Sequence, residues 1–315
     1  MMPPAMVQER GHRPVLLEEA LAGLAPRPGG IFVDATYGRG GHAAGLLEQL
    51  GEDGRLLLVD RDPEAVADAE RRFGADPRVI IRRGAFGGLA GIVAELGWTG
   101  WIDGLLADLG LSSPQVDDAR RGFSFSAAGP VDMRMDPDAG ESAAEWLARA
   151  EEGEIARVLR DYGEERFARR IARALVRERA RDGLADTARL AEVIAAAVPS
   201  SPPGRHPATR SFQAIRVHVN QELEELDRLL AALPEVIRPG GRIAIISFHS
   251  LEDRRVKRFI RGGSDAPKVV GGVPLPEAAP PPFRSVGRAR RAEEGEAREN
   301  PRARSAVLRV AERRT

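Results

Sequence analysis

The stretch Ile31-Phe-Val-Asp-Ala-Thr-Tyr-Gly-Arg-Gly-Gly-His42, continuing to Leu50, constrains the fold more than any other. An apolar run, Ile31 to Val33, ends at an acid, Asp34, and a loop dense in glycine follows, with Gly38, Gly40 and Gly41. Ala43, Ala44, Leu46, Leu47 and Leu50 then fall on one face of a helix. The order is strand, tight turn, helix. Glycines in such a turn take positive φ and let the backbone come close to a ligand, and the helix N-terminus adds free N–H groups. An ordinary βα turn has the same look, because a lone Gly-x-Gly is a weak signal.

The same rhythm repeats downstream. Arg55 to Val59 is a second strand that ends at Asp60, and Asp62-Pro63 starts a helix with proline near its first turn. Val79 to Ile81 is a third, short strand running to Gly84-Ala85-Phe86; Ile92 to Leu96 suits a helix. Ile102 to Ala107 is a fourth strand, closed by Asp108 and a turn-rich run to Gln115. Before all of these, Leu16, Leu17, Ala20, Leu21 and Leu24 have helical spacing, and residues 1–12 form a loose tail. Strands alternating with helices predict βαβ units, hence an α/β fold with a mostly parallel, Rossmann-like sheet.

After Gln115 the rhythm changes. Residues 117–140 are polar and rich in turns, and 142–233 carry long helical patterns with no clear strand. This predicts a core in two pieces, 1–116 and 226–315, interrupted by a helical insertion over 117–225. The sheet resumes with a turn at Arg238-Pro-Gly-Gly-Arg242 and a strand from Ile243 to Ser247. Residues 263–300 are expected to form loops, and Ser305 to Val310 a final edge strand.

Composition excludes several classes. The 47 basic and 47 acidic side chains cancel, so any nucleic-acid site must rest on local clustering. There is no cysteine, which removes disulfides and thiolate metal sites and suits the cytoplasm. No apolar run approaches the roughly 20 residues that span a bilayer. His206 and His218 cannot join His249 in a metal site, because no suitable carboxylate spacing accompanies them.

In an open α/β sheet, ligands sit beyond the carboxyl ends of the strands. Asp60 lies about 20 residues past the glycine loop, where an acid accepts hydrogen bonds from an adenosine ribose; a helix N-cap is the plainer alternative. Phe86 is placed to cover an adenine face, or to be a core aromatic. Gly38-Arg-Gly-Gly-His-Ala43 formally fits a dinucleotide fingerprint, but Asp34 would repel a pyrophosphate. An acid there suits a ligand with an ammonium group, S-adenosylmethionine. Asp108 occupies the place where amino-group methyltransferases keep an acid or amide. Asp108, or a nearby backbone carbonyl, is the candidate catalytic acceptor for the N–H groups of an exocyclic amine; the plainer alternative for Asp108 is a loop cap or cofactor ligand.

These motifs together resemble the bacterial 16S ribosomal RNA cytosine-N4 methyltransferases, the RsmH or MraW group. The resemblance is carried by His12-Arg-Pro-Val-Leu-Leu17, Asp34 to His42, Asp60-Arg-Asp62, Asp108-Leu-Gly-Leu-Ser-Ser-Pro-Gln115 and Arg121-Gly-Phe-Ser-Phe125. It continues through Asp132-Met-Arg-Met-Asp136, Tyr162-Gly-Glu-Glu-Arg166, His206-Pro-Ala-Thr-Arg210, Ser247-Phe-His-Ser-Leu-Glu-Asp-Arg254 and Asn300-Pro-Arg-Ala-Arg-Ser305. The matches run nearly end to end and in order; the variable loops of 263–290 depart most. The resemblance implies a class I methyltransferase that modifies a cytidine in the decoding region of 16S ribosomal RNA, within the small subunit. It also implies that Gly40, Gly41, His42, Asp60, Phe86, Asp108 and Gln115 line the cofactor site. The oligomeric state is left open, a homodimer included.

RNA contacts are expected from the insertion. From Arg210 onward, Phe212, Ile215, Val219, Leu223, Leu226 and Leu230 share one helix face, with Arg210, Gln213 and Asn220 on another side and Arg216 at the border. Arg254, Arg255, Lys257, Arg258 and Arg261 form a second basic cluster, and Arg284, Arg288, Arg290 and Arg291 a third. Arg210, Arg216 and Arg254 are the candidate substrate contacts.

Overall fold

The computed structural model describes residues 14–181, 183–184, 186–200, 204, 206–262, 269–270, 273–274 and 280–315. The expected tail, His12 and Arg13, and part of the loops at 263–290 lie outside them. In chain order the first elements are α1 (Leu17–Leu24), β1 (Ile31–Asp34), α2 (Gly41–Gln49), β2 (Arg55–Asp60), α3 (Pro63–Phe73), β3 (Val79–Arg83), α4 (Leu89–Glu95) and β4 (Ile102–Asp108). Helices follow: α5 (Ser113–Asp117), α6 (Ala143–Arg149), α7 (Glu152–Gly163), α8 (Ala168–Arg179), α9 (Thr187–Ala197), α10 (Thr209–Val219) and α11 (Glu222–Val236). The chain closes with β5 (Ile237–Ser247), α12 (Ser250–Arg261), β6 (Val269–Val270), β7 (Val273–Pro274), β8 (Phe283–Ser285), β9 (Arg290–Arg291), α13 (Glu294–Glu299) and β10 (Val307–Arg313).

The chain divides into two compact units. The first comprises the described residues of Met1–Asp60, Glu64–Gly110 and Asp227–Thr315. The second comprises Arg61–Pro63 and the described residues of Leu111–Leu226. These limits differ by a few residues from the expected 117 and 225.

The first unit is built on one sheet in the order β3-β2-β1-β4-β5-β10-β8, with β9 also on β10. β1 to β5 are mutually parallel, and β8, β9 and β10 pair antiparallel. This is the expected Rossmann-like α/β sheet. The central strands are buried at consecutive positions, Leu56 to Val59, Leu105 to Ala107 and Ile243 to Ile246. Burial of both alternating sets means that both faces are covered, which is why these strands read as continuous apolar runs. The predicted Arg238–Arg242 turn is an excursion inside β5: Ile102 pairs with Ile237 and Gly104 already pairs with Arg242, with Gly240 at φ +75° between.

Two expectations are corrected here. Ser305 to Val310 belongs to β10, which is not an edge: it lies between β5 and β8. The segment expected as loops supplies its partners, since Phe283 to Ser285 and Arg290–Arg291 both pair with it. The helix drawn from Arg210 through Leu230 is two helices. Gln221 takes φ +51° and parts α10 from α11.

The second unit has its own core, in which Trp146, Leu147, Ile155, Leu159, Ile171, Leu175, Ile194, Phe212 and Ile215 pack with Val131 and Met133. Asn220, predicted on an RNA-facing side, is 2% exposed. Its amide donates to the Met133 carbonyl at 2.7 Å and accepts from the Met135 N–H at 2.7 Å. It thereby braces Met133 in a positive-φ conformation, φ +62°, that residues other than glycine seldom take. Among the described residues no helix is long and apolar enough to cross a membrane.

Candidate functional site

The strand order turns back at β1, which has β2 on one side and β4 on the other. At such a reversal the connecting loops part and leave a crevice beyond the carboxyl ends. Asp34 ends β1 and pairs in register with Leu58 and Leu106. Asp60 and Asp108 therefore stand two residues beyond it on either side.

The loop after Asp34 is tied down from within. Tyr37 is buried, its N–H bonded to the Val59 carbonyl at 3.0 Å and its hydroxyl to Asp68 at 2.8 Å. Gly38 and Gly40 take φ +55° and +67°. A Cβ on Gly40 would lie 2.5 Å from the Tyr37 ring, and one on Gly41 would lie 2.1 Å from Cγ of Pro14. The close approach these glycines permit here is to Tyr37 and Pro14. Asp60 accepts the Gly38 N–H at 2.8 Å, so this acid also pins the glycine loop to β2.

Asp34 is fully buried, and only one of its oxygens is used, by the Thr36 N–H at 3.1 Å. Its Oδ2 is buried without a hydrogen-bond partner among the described residues. Burial first, and the nearby Asp60 charge after it, push its carboxyl up to about 7. Asp108 leaves 24% of its side chain open, yet its Oδ1 is covered and also without a partner among the described residues. Burial, then the charges of Asp34 and Glu252, hold the Asp108 carboxyl well above the usual carboxylate range. The Asp108 backbone N–H is fixed by the Thr36 hydroxyl at 2.6 Å.

His42, in the first turn of α2, puts Nε2 3.1 Å from the Val15 carbonyl and Nδ1 3.8 Å from Oδ2 of Asp108. Burial lowers its pKa to about 4, so this is no ion pair near neutrality. The neutral ring donates from Nε2 to Val15 and turns a lone pair on Nδ1 toward Asp108.

Glu252 was not anticipated. It is buried on α12 and accepts the Phe248 and His249 N–H groups at 2.8 and 3.2 Å. The spacing His249-Ser-Leu-Glu252 carried the signal, as an acid three residues after a helix N-cap. Nε2 of His249 lies 3.2 Å from Oε1 of Glu252 but is not aligned for a hydrogen bond. Phe86 opens a short 3₁₀ turn after β3 and is half-buried.

Gly40, Gly41, His42, Asp60, Phe86 and Asp108 thus collect at strand ends of the first unit. Gln115, Arg210 and Arg216 belong to the helical unit. Gln115 is buried, donates to Asp62 at 2.7 Å and accepts the Ser112 N–H at 3.0 Å; Arg121 reaches the same Asp62 oxygen at 3.0 Å. Arg210 gives an N–H to the Glu164 carbonyl at 3.1 Å. Arg216 is engaged within its own unit. Its guanidinium is forked onto Glu222 at 2.6 and 2.8 Å, with 15% and 7% of the two side chains exposed. Arg254 is exposed on α12 of the first unit.

An S-adenosylmethionine site fits this donor set. The two orphaned carboxyl oxygens are acceptors waiting for a cationic or N–H-bearing group. Among known proteins, the chain is 59% identical over 304 residues to ribosomal RNA small subunit methyltransferase H of Thioalkalivibrio sulfidiphilus strain HL-EbGR7, covering 96% of this chain and 97% of that one. Solved structures are more distant. A candidate rRNA-methylase from Clostridium thermocellum has TM-score 0.45 and 13% identity, covering 96% of this chain and 98% of that one. An rRNA methylase from Streptococcus thermophilus has TM-score 0.38 and 12% identity, covering 99% and 100%. At these scores neither bears on what the chain does. The match that decides spans residues 9–314, nearly the whole chain: the protein belongs to the MraW methylase family.

Proposed function

We propose that the protein is an S-adenosylmethionine-dependent methyltransferase that methylates the exocyclic N4 amine of a cytidine in the decoding region of 16S ribosomal RNA. The observation that supports this best is the pair of buried, unpartnered oxygens, Asp34 Oδ2 and Asp108 Oδ1, at the ends of adjacent strands. The small-subunit methyltransferase to which the chain is 59% identical supports the substrate.

Gly40, Gly41, His42, Asp60, Phe86 and Asp108 hold the cofactor, with Asp34 added to that set. The bound cofactor supplies an electrophilic methyl group on a sulfonium. A cytosine amine is a weak nucleophile because its lone pair is delocalised into the ring. Asp108 accepts one of its N–H groups and so favours the localised lone pair, and fixed alignment supplies on the order of 7–11 kcal/mol of the barrier. The His42 lone pair facing Asp108 keeps a proton acceptor beside that carboxyl. A base within a duplex hides its amine, so the target is taken unpaired. The helical unit, 111–226 in this structure, recognises the RNA, with Arg210 and the α12 residue Arg254 on phosphates. The reaction takes place in the cytoplasm, on RNA held in the small subunit.

The test is mass spectrometry of nucleosides from small subunits of a strain lacking the enzyme, after incubation with protein and cofactor. N4-methylcytidine is the expected product. A methyl group on a ring carbon or on ribose, or none at all, overturns the reading. Calorimetric binding of NADH in preference to S-adenosylhomocysteine overturns the cofactor.

A further inference from the structure

Two stretches that the strand-end chemistry does not use are Arg121-Gly-Phe-Ser-Phe125 and His206-Pro-Ala-Thr-Arg210. Both lie in the helical unit. The fold brings one ring of each together. Phe125 and His206 have centroids 4.6 Å apart and planes tilted by 35°. Phe125 also stands edge-on to Phe212 at 4.8 Å and 72°. Phe212 is core; Phe125 is half-buried; His206 is exposed. The pair is the outer layer of an aromatic stack rooted in the core.

Both rings are held from behind. The loop carrying Phe125 closes at its base through the Met133 N–H to the Arg121 carbonyl at 3.0 Å, with Gly122 at φ +74°. Its far end is gripped by the buried Thr187. That residue's hydroxyl accepts the Gly129 N–H at 3.1 Å and donates to the Ala127 carbonyl at 3.2 Å, and its N–H donates to the Gly129 carbonyl at 2.9 Å. The His206 carbonyl accepts the N–H and hydroxyl of Thr209 at 3.1 and 2.8 Å. Nδ1 of His206 accepts the Ala208 N–H at 3.2 Å, so the neutral ring carries its proton on Nε2. Arg210 follows in the first turn of α10 and spends one N–H on Glu164. An exposed ring lying on a fixed aromatic, with an arginine one turn away, is the arrangement that binds unpaired nucleic acid. Stacking takes any base face, and the cation takes a phosphate.

We infer that Phe125 and His206 form a stacking platform for an unpaired base of the substrate RNA, beside a phosphate held by Arg210. The inference rests on the proposed function and adds a binding site to it. The platform positions a nucleotide without reading its identity, because every base has a π-face.

The test compares methyl transfer to small subunits from a strain lacking the enzyme. Phe125→Leu keeps an apolar side chain against Phe212 and removes the ring; Phe125→Tyr keeps the ring. Base stacking implies that KM rises about fivefold or more in Phe125→Leu and in His206→Ala. S-adenosylhomocysteine affinity and the thermal midpoint of Phe125→Leu are expected to stay at the parent's values, and Phe125→Tyr to restore KM. The salt dependence of binding a single-stranded oligoribonucleotide keeps its slope in Phe125→Leu and falls by roughly 0.7 in Arg210→Gln. A parent-like KM in Phe125→Leu, a loss that Phe125→Tyr does not rescue, or a loss matched by a lower thermal midpoint overturns the platform. So does a KM effect on whole subunits with none on the oligoribonucleotide, which would mark a protein contact. If the parent itself transfers no methyl group, it is the proposed function that falls.

Discussion

His42 and Asp108 face each other with Nδ1 3.8 Å from Oδ2, and the imidazole of this pair is uncharged at neutral pH. Burial lowers the folded-state pKa of His42 from 6.5 to about 4, because a charged ring there would lose its water. Its contribution to stability is therefore complete above the unfolded value and is lost as pH falls through the folded one. His42→Gln removes this dependence along with the packing. The stability gap between parent and variant, measured by urea unfolding, is expected to narrow by about 3 kcal/mol between about pH 7 and about pH 4. A gap that stays constant over that range contradicts the assignment.

Asp34 carries the opposite sign. Its carboxyl is raised from 3.8 to about 7, so the folded state binds the proton more tightly than the unfolded chain does. The cost of ionising it is absent below the lower value and complete above the higher one. Asp34→Asn is expected to stabilise the ligand-free protein by up to about 4 kcal/mol near pH 8 and by little near pH 4. The same variant is expected to bind S-adenosylmethionine at least about tenfold more weakly near pH 7.5, by calorimetry, because a buried carboxylate facing a cation is lost.

The glycine loop separates packing from exposure. Gly41→Ala forces a methyl to 2.1 Å from Pro14, and Gly40→Ala adds a positive φ to a clash with Tyr37. Each is expected to cost about 1–3 kcal/mol in thermal denaturation. Gly88→Ala, with nothing within 4 Å of the new methyl and φ −86°, is the control and is expected to be near neutral.

The Arg216–Glu222 fork is buried in the helical unit, whereas the Arg149–Glu141 pair is mostly open, at 62% and 35%. Arg216→Ala leaves a buried carboxylate without its cation and is expected to cost about 3–5 kcal/mol, while Arg149→Ala is expected to cost under about 1 kcal/mol. Equal losses in urea unfolding would refute this ranking.

The strands ending in Asp34, Asp60 and Asp108 were legible because burial on both faces writes itself as an apolar run, and an acid marks where the run leaves the sheet. What escaped depends on partners far along the chain. Phe283 to Ser285 is too short, and too deep in a proline-rich stretch, to announce itself as the strand that covers β10. The break at Gln221 involves no glycine or proline, so helical periodicity ran straight through it. That error put Asn220 on a polar face and Arg216 at its border, whereas the turn folds Glu222 back onto Arg216 and buries Asn220. At the site, the residue types could be read in order. The orphaned oxygens could not, since a sequence does not show which hydrogen bonds are left unmade.

β10 is inserted between β5 and β8 although it is made from the final residues described. During synthesis, β5 leaves the ribosome about 60 residues before the neighbour that will seal its flank. Until Val307–Arg313 arrives, the open side of β5 presents unpaired amide groups next to a row of isoleucines. That is a template for joining another nascent copy. A chain cut short before Val307 would keep that flank of β5 open, an adhesive fragment in place of a slightly shortened enzyme.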